Sequence, residues 1–261
     1  MREKILAHVP CCPREALHWF DTIDSTNTRA KQMAKEGAPH GTVLIADAQT
    51  AGRGRMGRQF DSQKGAGIYL SVILRPACPP DQLMHLTCAA GVAMCDAVEK
   101  VTGIRPGIKW INDLVYQNRK LGGILTELSV DTATGLTEYA VIGIGINCNR
   151  TDFPPELESV ATSLSAITGT DIDRAALSGA MITALYQMAD RLAEKEAVMA
   201  RYRSDCVTLG KSVKVHKADG ILTGTALDLD HDGGLVVILD SGETITVSAG
   251  EVSVRGFYGY I

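Results

Sequence analysis

Between two runs of strand-forming residues, Thr42 to Ala48 and Ile68 to Leu74, lies Gln49-Thr50-Ala51-Gly52-Arg53-Gly54-Arg55-Met56-Gly57-Arg58. Its glycines leave the backbone free to adopt φ > 0 and to approach a ligand closely, while the guanidinium forks point at whatever the segment encloses. Such a loop suits an anion. Read literally, Gly52, Gly54 and Gly57 spell G-x-G-x-x-G after a strand, as a dinucleotide fingerprint requires. A Rossmann loop must also open a helix that receives the pyrophosphate, whereas Arg58 to Gly67 carries further glycines and no apolar 3.6-residue period. No Walker Lys-Ser/Thr pair follows. The segment therefore reads as a long flexible loop joining two strands, either functional or a solvated basic linker, and the density of arginine favours function.

With 261 residues, 45% of them hydrophobic and 21% charged, the chain has the composition of a globular protein of one or two domains with a real core. A formal net charge of −4 argues against a nucleic-acid-binding surface spread over the fold, so the loop arginines are a local exception. No apolar run approaches the roughly 18 residues that span a bilayer, and Arg2, Glu3, Lys4 and His8 break up the start. A cytoplasmic protein with no membrane partner is expected. The 7 cysteines include no C-x-x-C and no histidine at zinc-ligand spacing, so they read as reduced. Cys88 and Cys95 serve as small apolar helix residues, Cys11-Cys12 is incidental or redox-sensitive, and none is a good nucleophile.

Taken in order, Leu17 to Ile23 reads as a short strand, followed by the polar cap Asp24-Ser25-Thr26-Asn27 and a helix from Thr28 to Glu36 that stops at Gly37. Ser25, Thr26 and Asn27 cap a helix by default, and the same groups can hydrogen-bond a polar ring or carboxylate. After the strand at 68–74, Asp81 is expected to cap a long helix running to Gly103, with Leu83, Leu86, Ala90, Met94, Ala97 and Val101 at 3–4 spacing. Gly107 to Tyr116 and Lys120 to Leu125 form a hairpin about Gln117-Asn118-Arg119. Lys109 sits in its apolar part, where an ammonium needs either a partner, with Asp113 nearest, or an anionic ligand. Gly122-Gly123 inside a strand marks close approach by backbone or ligand. Tyr139 to Asn147 is a buried strand whose Gly143 and Gly145 open one face, to a helix or to a flat ligand. A short helix follows Pro154-Pro155, around 156–167. A long one begins at Asp173, with residues 194–196 as its solvated face. From Cys206 onward five short strands, 212–215, 221–228, 235–239, 244–247 and 251–254, suggest a small barrel leaning on the larger domain.

Ser25-Thr26-Asn27, Gln49, Gly52-Arg53-Gly54-Arg55-x-Gly57-Arg58, Lys109-Trp110-x-Asn112-Asp113, Lys120-Leu121-Gly122-Gly123-Ile124-Leu125 and Gly143-x-Gly145-Ile146-Asn147 together resemble the biotin–protein ligases in order and spacing. Gly224-x-Ala226-x-x-Leu229-Asp230 and Ala249-Gly250-Glu251-Val252 extend the resemblance to the family's SH3-like C-terminal barrel. One departure is Ile111, where the family commonly has proline, which bears on strand rigidity and not on chemistry. The resemblance implies an α+β fold: a mixed β-sheet with flanking helices, like the class II aminoacyl-tRNA synthetases, over residues 1–205, and the barrel over 206–261.

It also implies the reaction. Biotin is activated by ATP and Mg²⁺ as biotinyl-5′-AMP, then transferred to a lysine of a biotin carboxyl carrier protein, with no tightly bound prosthetic group. By the same carry-over Arg55, Lys109 and Lys120 are catalytic. Ser25, Thr26, Asn27, Gln49, Gly52, Arg53, Gly54, Arg55, Lys120, Gly122, Gly123, Gly143 and Gly145 bind biotin or its adenylate, the last four glycines letting the fused rings lie flat. Arg58, Trp110, Asn112, Asp113 and Asn147 are assigned to ATP, and the metal ligands are unknown. A carboxylate approaching a polyanion needs local cations: one charge pair at 4 Å is worth about 4 kcal/mol at an effective dielectric near 20, before desolvation. No nucleophilic serine or cysteine is required.

Only 24 residues precede Ser25, too few for a helix-turn-helix domain of three helices averaging about 11 residues, so no DNA partner is expected; the oligomeric state is left open, with a homodimer among the options. Two rivals remain. A lipoate–protein ligase performs the same adenylation, though Gln49 and the G-R-G-R loop favour biotin. An RNA-binding module is opposed by the acidic balance and by aromatics at 5%.

Overall fold

A computed structural model describes residues 1–217, 220–248 and 251–254. Ala249 and Gly250 of the C-terminal motif lie outside them. In chain order the elements are α1 (Arg2–Ala7), β1 (Leu17–Phe20), α2 (Thr26–Lys35), β2 (Thr42–Ala46), β3 (Gly67–Leu74), α3 (Leu86–Thr102), β4 (Gly107–Lys109), β5 (Asp113–Tyr116), β6 (Arg119–Val130), β7 (Thr137–Asn147), α4 (Pro155–Glu158), α5 (Leu164–Thr168), α6 (Arg174–Asp190), α7 (Lys195–Asp205), β8 (Ser212–Lys217), β9 (Gly220–Leu229), β10 (Leu235–Leu239), β11 (Thr244–Val247) and β12 (Glu251–Val254). The first seven strands make one mixed sheet, ordered β1-β2-β3-β7-β6-β5-β4, in which only β1 and β2 pair in parallel.

Strand alternation decides what each face does. Ile68, Leu70, Val72 and Leu74 of β3, with Ala140, Ile142, Ile144 and Ile146 of β7, join the main core that includes α3 and α6. The intervening Ile73, Tyr139 and Val141 face the other way and pack on Ala30 and Ala34 of α2. Farther along that second face the residues turn small and polar: Ser71 on β3, Gly143 and Gly145 on β7. The first turn of α2 reaches this part through Asn27, and the segment that follows the glycine-arginine run lays Phe60 over the rest.

β8 to β12 form a five-stranded antiparallel sheet ordered β11-β10-β9-β8-β12, the small SH3-like unit. Its Val213, Val215, Ala226, Leu229, Leu235 and Val237 belong to the same hydrophobic cluster as α3 and α6. Gly233, at φ +90°, brings the 230–234 turn so close to α3 that a Cβ there would lie 2.8 Å from Cys88 Sγ. Trp110 adds two bonds across the same boundary, from its backbone N–H to Thr208 Oγ1 (2.9 Å) and from Nε1 to the Gly233 carbonyl (2.8 Å).

Several local expectations are corrected. Asp81 does not cap the long helix: Pro80 opens a separate 3-10 turn, Pro80–Leu83, and α3 starts only after the buried His85. Gly107 to Tyr116 is not one strand, because residues 110–112 turn the chain so that Lys109 pairs back on Asp113; the Trp110–Ile111 peptide is cis. The helix expected over 156–167 is two helices. Residues 160–162 between them run alongside Lys120, which donates its N–H to the Val160 carbonyl (2.7 Å) and accepts from Thr162 (2.8 Å). Residues 194–196 are the start of a further helix, α7, anchored by buried Met199 and Tyr202.

Candidate active site

The segment expected as a long flexible loop has an internal ladder. Gln49 bridges Ser62 and Arg53 bridges Gln59, while Phe60 N–H donates to the Gly52 carbonyl (2.9 Å) and Gly54 N–H to that of Arg58 (2.7 Å). The tip turns through Met56 (φ 54°) and Gly57 (φ 73°), both in the left-handed region. Met56 is 68% exposed there, a position where glycine would carry no steric penalty.

Beneath this flap lies a cavity of about 350 Å³. Of the residues singled out from sequence, Ser25, Thr26, Asn27, Gln49, Arg53, Gly54, Arg55, Arg58, Lys109, Trp110, Asn112, Asp113, Lys120, Gly123, Gly143 and Gly145 line it. Gly52, Gly122 and Asn147 do not. A Cβ on Gly52 would lie 2.3 Å from the Phe60 carbonyl, and one on Gly122 would lie 2.5 Å from the Gly145 carbonyl, so both serve close backbone packing. Asn147 donates to the Thr162 carbonyl at 3.0 Å.

Gly143 and Gly145 leave room, but protein atoms take part of it. Cβ atoms there would meet Asn27 Oδ1 at 1.9 Å and the Phe60 ring at 2.6 Å. The flat object on this face is thus a side chain of the flap itself, held edge-to-face on Tyr69 with ring centroids 6.3 Å apart. Phe60, Gln59, Val252 and Val254 also line the cavity and were not picked out as site residues. Val252 lies in a motif that the sequence assigns to the barrel, and nothing local reveals that β12 reaches back to the catalytic sheet.

Hydrogen bonds organise the end near β3 and β7. Ser25 caps α2 by accepting from Thr28 N–H at 3.4 Å. Gln49 Oε1 accepts from the Thr26 backbone (2.8 Å), lies 3.1 Å from Thr26 Oγ1, and its Nε2 donates to Ser62 Oγ (2.9 Å). Fully buried Ser71 lies 2.7 Å from Asn27 Oδ1 and 2.9 Å from Thr26 Oγ1. Asn27 Nδ2 and Lys31 Nζ both donate to Glu127, at 3.0 and 2.7 Å, and Arg53 grips the same carboxylate with both terminal nitrogens (2.9 and 3.1 Å). Half-burial pushes the Glu127 carboxyl up, but its bonds to Lys31, Asn27 and Arg53 outweigh this and leave it below the usual carboxylate range.

Toward β4 and β5 the lining becomes cationic. Lys109 is 8% exposed and its Nζ donates to the Val252 carbonyl at 3.2 Å. Asp113, the partner expected for Lys109, forms an ion pair with Lys120 at 2.7 Å. Arg55 Nη1 reaches Asn112 Oδ1 at 3.1 Å. Against these cations Asp113 is the sole carboxylate among the described lining residues. Burial raises the Cys88 and Cys148 thiols to about 12, which keeps them protonated and unreactive.

Residues 19–147 match the Biotin/lipoate A/B protein ligase family, and residues 208–255 match the Biotin protein ligase C terminal domain. The chain is 36% identical to the "Bifunctional ligase/repressor BirA" of Bacillus subtilis, over 88% of this chain and 70% of that protein. It is 35% identical to the "Biotin--[acetyl-CoA-carboxylase] ligase" of Mycobacterium tuberculosis, over 87% and 85%. Among solved structures, the biotin protein ligase from Aquifex aeolicus in complex with biotin and ATP superposes with a TM-score of 0.78 at 33% identity, covering 92% of this chain and 98% of that one. The lipoate alternative is not favoured, since these relatives are biotin ligases. By sequence and by fold, the chain belongs to the biotin protein ligases.

Proposed function

We propose that the cavity activates biotin with ATP and passes it to a lysine of a biotin carboxyl carrier protein. The observation that carries this reading is the convergence of Arg53, Arg55, Arg58, Lys109 and Lys120 with the Ser25-Thr26-Asn27-Gln49 group on one chamber. The strand order sets the two sides by side. The neutral polar group sits near β3 and β7, where it can hold the ring of biotin, and the cations sit toward β4 and β5, where they meet the nucleotide phosphates.

In the first step a biotin carboxylate oxygen bonds to the α-phosphorus, the bond to the β-phosphate oxygen breaks, and diphosphate leaves. Lys109 and Lys120 lower the repulsion between carboxylate and phosphate and hold the developing negative charge. In the second step the neutral amine of the acceptor lysine attacks the anhydride carbonyl, the carbon–oxygen bond to phosphate breaks, and AMP leaves as the amine gives up its proton. The flap, with Arg55 on Asn112, keeps bulk water from the anhydride in between.

Mg²⁺ enters this reading with the nucleotide. Asp113, the carboxylate among the described lining residues, would hold an ion carried chiefly by phosphate oxygens. Bound there, the ion supplies neutralisation of phosphate charge. Use of ATP and of a carrier protein fits a cytoplasmic working place. No described helix is long and apolar enough to cross a membrane. A homodimer belongs to the same reading, and sedimentation velocity reads it directly.

Incubation with labelled biotin, MgATP and a carrier domain tests the proposal. Label should appear first as adenylate and then on the carrier, and replacing biotin by lipoate should give little product. Absence of ATP-dependent labelling would refute it.

A further inference from the structure

We propose that Glu127 is a positioning residue that fixes the donor and acceptor sense of the biotin-side hydrogen bonds and latches the glycine-arginine flap through Arg53. Its place in the reaction rests on the ligase reading above. The latch itself does not.

Glu127 stands on β6 two residues beyond Leu125, on the same strand face, and does not line the cavity. Asn27 and Lys31 are one helical turn apart on α2 and so present their side chains together. A carboxylate only accepts hydrogen bonds, so the Asn27 group facing Glu127 must be the Nδ2 amide, and Oδ1 must face Ser71. Oδ1 also only accepts, which commits the single Ser71 hydroxyl proton to it. Ser71 then has no proton for Thr26 Oγ1, whose own proton goes to Ser71 Oγ or Gln49 Oε1. One carboxylate outside the chamber thereby dictates the polarity of Asn27, Ser71 and Thr26. An amide in its place weakens that dictation, since it can present either a donor or an acceptor and leaves only the longer 3.4 Å bond from Asn27 Nδ2 to the Leu125 carbonyl to orient the side chain.

The same carboxylate joins two cations. Lys31 and Arg53 both contact it, and Arg53 comes from the flap, 74 residues away in sequence. With Glu127 neutralised the two positive groups face each other without a counter-charge, and the bidentate grip that holds the base of the flap is lost.

Glu127→Gln, Glu127→Asp and Arg53→Met test this in the full chain. In the unliganded protein, trypsin should cut after Arg55 and Arg58 about tenfold faster in Glu127→Gln and in Arg53→Met, and no faster in the double variant than in either single one. In the biotinylation assay Glu127→Gln should raise the KM for biotin about tenfold while the KM for ATP stays within twofold; Glu127→Asp, still acceptor-only, should fall near wild type in biotin KM. Tryptic cutting of Arg53→Met at the wild-type rate, or equal biotin KM values for the Gln and Asp variants, would overturn the proposal. A wild-type protein that makes no adenylate would sink the ligase reading, with the tryptic result still deciding the latch.

Discussion

Arg55 Nη1 donates to Asn112 Oδ1 at 3.1 Å, fastening the flap to the turn between β4 and β5 across 57 residues of chain. Asn112 Nδ2 in turn donates to the Ile124 carbonyl at 2.9 Å, so the acceptor oxygen is held in place. Arg55→Gly removes the tie without touching the core. A folded protein is expected that forms adenylate and loses it about tenfold faster, the size of one charge-assisted bond. Single-turnover retention of the labelled intermediate measures this; wild-type retention would count against the tie.

Gly145 faces the Phe60 ring so closely that a methyl group would lie 2.6 Å from it. Gly145→Ala must displace the ring or bend β7, and a destabilisation of about 1–3 kcal/mol is expected. Urea unfolding of Gly145→Ala, Phe60→Ala and the double variant checks the cause. The double variant should lose clearly less than the sum of the two.

His85 is buried, with Nε2 donating to the Leu192 carbonyl at 3.0 Å and Nδ1 lacking a protein partner. Burial holds its pKa below 6.5, against the Leu192 carbonyl, with Lys195 lowering it further and Asp232 raising it. Below 6.5 the unfolded chain therefore takes up a proton that the folded chain resists. The stabilisation is fully present above that pH and declines as pH falls toward the folded value. Comparing urea midpoints at pH 7.5 and 5.5, wild type should lose stability and His85→Gln should lose less. His18 is also depressed, by desolvation first and by Arg2 and Arg29, and adds to the slope in the same direction.

Trp110→Phe deletes the Nε1 bond to the Gly233 carbonyl while keeping an aromatic ring in the wall. The cost should be about 1 kcal/mol for the bond, with a further penalty for the carbonyl left without a donor. Hydrogen exchange at the 230–234 turn should speed up more than exchange in β2 or β3. Uniform change across the molecule would mean that the bond does not hold the turn.

Much of this was legible in local pattern. The central strands declared themselves as short β-rich apolar runs, the Asp173 cap by its position before an apolar period, and the five C-terminal strands by their turn residues. The convergence of Lys109, Lys120, Arg55 and Gln49 on one chamber was implied by the family resemblance that the motifs carry. What stayed hidden depends on partners distant in the chain. Glu127 looks like an ordinary outward charge until Asn27, 100 residues away, and Arg53 are brought to it. Asp113 was offered as one partner for Lys109, which it does face across β4 and β5, but its ion pair with Lys120 was not foreseen, because the bulge between Leu114 and Val115 sets the β5–β6 register. The α3 start and α7 were missed because a proline-led turn and two buried side chains decide them, not propensity.

Lys109 and the Val252 carbonyl it bonds are separated by 143 residues, and the strand carrying that carbonyl is the last one described. During synthesis the floor of the chamber emerges from the ribosome before this wall does. The central sheet by itself therefore leaves one side of the chamber open until β12 packs back on it.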